Sequence, residues 1–174
     1  NMKHDISNMF VAEYAARPPM AKIFYEDILM AAFFYGFPIL IENNKYGIAR
    51  HFEARGFDNY LMDRPEHLKT GSSTTKTKGI PSNSQDIIDS HAQAIESYIH
   101  NHVGENLETE KMGRMNFNRT LEDWIGYRIE NRTKYDLTIS SGLALMAAQK
   151  FKRDKPKTNF NEKQFFRTFK PIQR

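Results

Sequence analysis

The chain has 174 residues, 40% apolar and 26% charged, which is the length of one domain and an ordinary globular balance. It contains no cysteine, so a disulfide scaffold, a thiolate nucleophile and a cysteine-bound zinc are excluded. The net charge of +4 is uneven: residues 150–174 hold nine Lys/Arg against two acids, which leaves the rest of the chain at −3. No apolar run of about 18 residues occurs, so no membrane span is expected.

In chain order, residues 9–15 are apolar and aromatic and stop at Arg17-Pro18-Pro19, which predicts a strand. Residues 20–35 carry apolar side chains at three- and four-residue intervals, a helical spacing that Gly36 ends. The short run Pro38-Ile39-Leu40-Ile41 predicts a strand buried on both faces. A second helix is expected over 46–54, closed by Gly56, and a further strand at Tyr60-Leu61-Met62. Strand, helix, strand, helix, strand implies an α/β sheet with right-handed crossovers.

Residues 66–83 break every period and read as a long mobile loop. Ser82-Asn83-Ser84-Gln85 has the form of a capping box, and the helix after it carries Ile88, Ala92, Ile95, Ile99 and Val103. Residues 105–114 read as a polar linker, 117–129 as a helix, and 137–149 as a last helix rich in small residues. The division is a body, 1–149, and a basic tail, 150–174, whose Phe165, Phe166 and Phe169 can share one helical face.

Chemistry-bearing residues are few. Glu42 follows the buried run, where an open α/β sheet presents its ligands; on position alone it is also simply the first exposed residue. Asp136 stands where an N-cap belongs. Two carboxylates meeting at strand and helix ends are the donor type that Mg²⁺ and Mn²⁺ take. The six histidines show no zinc spacing and read as surface or partly buried residues. No phosphate-binding glycine loop is present. Lys69, Lys76 and Lys78 on the long loop are candidate phosphate contacts, or else a solvated face.

Phe10-Val11-Ala12-Glu13-Tyr14 with Arg17-Pro18, then an aromatic-rich helix, then Glu42-Asn43-Asn44 with Gly47, resembles the nuclease domain of phage terminase large subunits. Tyr60-Leu61-Met62 with Pro65, Gly79-Ile80, and Asp136 opening a small-residue helix continue the likeness in order. It is nearest to terminases of phages infecting gut Bacteroidetes and spans about residues 9–149. The resemblance implies a ribonuclease-H-like mixed sheet flanked by helices. It implies a metal-dependent endonuclease that cuts concatemeric viral DNA in the host cytoplasm during packaging, with two Mg²⁺ or Mn²⁺ ions. The family's strand-borne glutamate falls on Glu42 and its late aspartate on Asp136, as catalytic metal ligands. Its first aspartate, and the central strand that bears it, have no counterpart before Glu42. The implied partners are double-stranded DNA and the portal, procapsid and other packaging proteins. The alternative is a catalytically incomplete module that binds DNA or docks on the portal or capsid.

Overall fold

The structure, a computed structural model, describes residues 9–43, 47–65, 77–81, 85–106, 111–113 and 115–150. Helix α1 spans Ala21–Tyr35. It stops where Gly36 takes a left-handed conformation (φ 67°), and the amides of Gly36 and Phe37 bond back to the Phe33 and Ala32 carbonyls. This is the usual C-terminal closure that glycine permits. Helix α2, Gly47–Ala54, packs on α1 and buries Phe52 completely against a cluster containing Leu29, Ala32, Ile41, Tyr60 and Leu61.

The other half of the core belongs to helix α3, Gln85–His102, and helix α5, Asp136–Lys150, the most extensively packed pair. Ile87 and Ala94 of α3 meet Leu143 and Met146 of α5, together with Leu40 and Ile80. Helix α4, Asn118–Gly126, lies on α5, and a 3-10 segment, Ile129–Lys134, leads from one to the other. Strands β1, Gly104–Asn106, and β2, Lys111–Gly113, form one short antiparallel pair beside α3.

Between the two clusters runs the segment 39–43. Side chains alternate across extended backbone, so Ile41 enters the first cluster and its neighbour Leu40 the second. Ile39 forms a parallel bridge with Leu61, and Glu42 forms one with Ile80. Thr77 to Ile80 therefore threads between Met62 and Ile41, taking a bond from each side: the Gly79 amide donates to Met62 O and the Ile80 amide to Ile41 O, both at 2.9 Å.

This architecture corrects the expected α/β class. The described residues are mostly helical, and no ribonuclease-H-like mixed sheet flanked by helices is present among them. Within the apolar run at 38–41, Leu40 and Ile41 are buried on opposite faces as expected while Pro38 and Ile39 are half-buried, and the pairing is confined to single bridges. Tyr60 is drawn into a 3-10 turn, Asp58–Tyr60, which leaves only Leu61 of the next predicted strand in a bridge to 39–43. Residues 9–15 join no strand and carry no regular secondary structure; side chains fix them. Phe10 sets its ring edge-on against Tyr98 and Trp124, and the Glu13 carboxylate accepts from Thr120 N and Oγ1 at 3.2 and 2.7 Å. Residues 66–76, 82–84 and 151–174 lie outside the described residues, and with them most of the predicted loop, its capping box and the basic tail.

Candidate functional site

Glu42 is exposed at the carboxyl end of the bridged segment. The backbone around it is held closely. The Asn43 amide donates to Ile80 O at 2.8 Å, and Asn43 Nδ2 donates to Lys78 O at 2.8 Å. Lys78 itself is turned inward. Its ammonium donates to Leu61 O at 2.9 Å and pairs with Asp63 Oδ1 at 3.0 Å, across an antiparallel Asp63–Lys78 bridge. A lysine with its donors engaged by a carbonyl and a carboxylate is a clamp on this turn. Lys69 and Lys76 lie outside the described residues.

The side chain that Glu42 influences is His91, in the middle of the buried face of α3 and only 3% exposed. Burial holds the imidazole below its ordinary pKa of 6.5. The Glu42 carboxylate and the Ile139 carbonyl pull it back up, while Arg132 adds to the effect of burial. The ring fits because α5 is narrow here. A Cβ at Gly142 would stand 2.7 Å from His91 Nδ1, so only glycine allows α5 this close. Thus Glu42, Arg132 and the Ile139 turn of α5 all act on one buried histidine.

Asp136 opens α5 and is ion-paired to Arg17 at 3.1 Å, both side chains largely exposed at 74% and 93%. The capping role expected of Asp136 is performed by Asp123, whose Oδ2 accepts from Leu137 N at 3.0 Å. The resemblance implies carboxylates gathered round two dications. Among the described residues, no group of three or more His, Cys, Asp or Glu stands close enough to hold a metal ion. These residues by themselves do not complete a two-ion centre.

Three residues gain roles that sequence reasoning does not assign. His91 has no zinc spacing to set it apart from the other histidines, yet among the described residues it is the histidine at the centre of the helical core. Glu13, quoted only as part of the run 10–14 and given no role there, serves α4. Glu26 of α1, mostly buried, ion-pairs with Arg55 Nε at 3.0 Å, just past α2, and stands 3.4 Å from His51 Nε2 of α2. For His91 a signal exists: Ile87, His91, Ala94 and Tyr98 form a stripe at helical spacing.

No protein-family model, curated protein or solved structure matches this chain. No helix among the described residues is long and apolar enough to cross a membrane.

Proposed function

We propose that the chain is a nuclease module of the phage-terminase type, cutting concatemeric double-stranded DNA during genome packaging in the host cytoplasm. The observation that carries this reading is the place of Glu42: an exposed carboxylate at the carboxyl end of a backbone segment paired in parallel on two partners and pinned by Asn43. A carboxylate held by rigid backbone and open to solvent is what recruitment of a dication to a phosphodiester requires. In this reading Glu42 and Asp136 are the residues that Mg²⁺ or Mn²⁺ would meet. The exposed Arg17 pair is no obstacle, since an ion pair so open to water is weak.

The test incubates linear and supercoiled duplex DNA with the chain and Mn²⁺. Cleavage that Glu42→Ala abolishes, with the melting transition kept, is the expected result; cleavage indifferent to that substitution refutes the assignment. The shortage of gathered donors favours a second reading, a module that binds DNA or docks on the portal or capsid without cutting. Salt-sensitive DNA binding with no cleavage, or portal binding with no effect on DNA, selects it.

A further inference from the structure

A groove of about 510 Å³ runs between α3, α4 and α5. Ala92, Ile95 and Ile99 of α3 form one wall and Trp124 of α4 the other. Trp124 is fixed in place by its Nε1–H, which donates to Ser141 Oγ at 2.9 Å. His91 and Thr138 close the floor at 3% and 2% exposure, so what the groove offers a partner is chiefly apolar surface. Ile99, at the rim, is 40% exposed. Concave apolar surface between helices is what an amphipathic helix fills, with side chains spaced three and four residues apart.

The two helices that wall the groove are acidic. Helix α3 carries Asp86, Asp89 and Glu96 and no lysine or arginine, and Glu96 lies on the groove itself. Helix α4 adds Glu122 and Asp123 against Arg119, whose guanidinium is turned to the Ala15 carbonyl. At the Tyr127 end, Arg132 and Asp89 act on the Tyr127 hydroxyl in opposite directions. The chain itself contains a segment of the opposite character, outside the described residues: Phe165, Phe166 and Phe169, with Lys163, Arg167 and Lys170 beside them. That segment is within reach. Gln149, near the end of α5, lines one cleft together with His102, the last residue of α3. From His102 back to His91 is about 16 Å along the helix at 1.5 Å per residue, whereas residues 151–164 can span up to about 46 Å. We infer that the groove is the docking site of the chain's own segment 165–169, its phenylalanines seated between α3 and α4 and its flanking bases set against the acids of those helices. Tethering holds the segment at a local concentration on the order of mM, so a contact too weak to join two separate molecules is still occupied. The inference does not rest on the nuclease reading.

Trp124 is the chain's single tryptophan, so its fluorescence reports on this groove. Acrylamide quenching is measured on the full chain and on the full-length variant carrying Phe165→Ser, Phe166→Ser and Phe169→Ser. The expected result is steeper quenching and red-shifted emission in the variant. A synthetic peptide of residues 158–174 should reverse both saturably, and the same peptide with the three serines should not. Ile99→Lys, at the exposed rim, should expose Trp124 to a similar extent, and joining it to the tail substitutions should add nothing further, since both break one contact. Glu96→Lys should weaken peptide binding about two- to fivefold by exchanging attraction for repulsion. Equal quenching of the native chain and the triple variant, no saturable protection by the peptide, or fully additive effects of the groove and tail substitutions would overturn the inference. So would protection that disappears on dilution together with a halving of the mass by light scattering, which would seat the segment in the groove of a second copy.

Discussion

Gly79→Ala should be among the most damaging single-methyl changes in the protein. Gly79 sits at φ 71°, a left-handed conformation, and a Cβ there would meet the Ile41 carbonyl oxygen and approach Ile41 Cγ1 to 2.7 Å. The conformation alone costs an alanine about 1–2 kcal/mol. The collision is with backbone, which cannot swing aside, so the Ile80–Ile41 and Asn43–Ile80 hydrogen bonds must lengthen. At about 1 kcal/mol for each bond, the total loss is about 3–4 kcal/mol, a large part of the 5–15 kcal/mol typical of a domain. Gly36→Ala is the control: φ is 67°, but a Cβ there meets nothing within 4 Å, so only the conformational cost of about 1–2 kcal/mol applies. Urea unfolding of both variants measures the difference at constant slope. Equal losses would show that the Ile41 contact does not govern the turn and that Glu42 is not held by it.

Stability should fall as the pH drops below about 6.5. His91 titrates below that value when folded and near it when unfolded, so in acid the unfolded chain binds the extra proton; urea midpoints of the native chain and His91→Gln at pH 7.5 and 5.5 should show a smaller acid loss in the variant. Glu26→Ala should cost about 2–3 kcal/mol by thermal or urea unfolding, since it strips a mostly buried carboxylate from Arg55 and His51. Lys69→Ala with Lys76→Ala should flatten the salt dependence of DNA binding by about one unit for each phosphate that a lysine no longer neutralises. Lys78→Ala should instead show mainly as reduced stability, because its ammonium serves Leu61 and Asp63.

The helices are legible in the sequence because their periods are long enough to be counted. The spacing over residues 20–35 places α1 to within one residue, and Gly36 ends it by the left-handed turn that glycine allows. The expected sheet fails because runs of three or four apolar residues do not distinguish a strand from any other buried segment. Leu40 and Ile41 are buried on opposite sides as the composition of the run implies, but the step from there to a parallel sheet assumes neighbours that single bridges replace. The face of α3 differs from the expected one by about one position. Ile88 and Ile95 are buried as the apolar spacing implies, but Ile99 is 40% exposed, and Ile87, His91, Ala94 and Tyr98 are buried beside them. What a polar residue does inside a core depends on which helix crosses it, and the approach of Gly142 to His91 across 51 positions of sequence leaves no local trace. Glu42 and Asp136 stand out as positions, but the ion pair that Asp136 makes with Arg17 joins segments 119 residues apart and has no local signature either.

The alternation at Leu40 and Ile41 has a consequence for how this gene can vary. Two neighbouring residues feed two different hydrophobic clusters, so the reading frame of the peptide through this point is fixed in phase as well as in composition. One residue inserted or deleted between Pro38 and Leu40 would exchange the destinations of every side chain as far as Glu42. Leu40 would be sent toward α1 and α2, Ile41 toward α3 and α5, and the carboxylate of Glu42 would turn from solvent to the interior. Substitutions among Ile, Leu and Val can be absorbed here at modest cost. A change of length cannot, because it would invert both halves of the core at once.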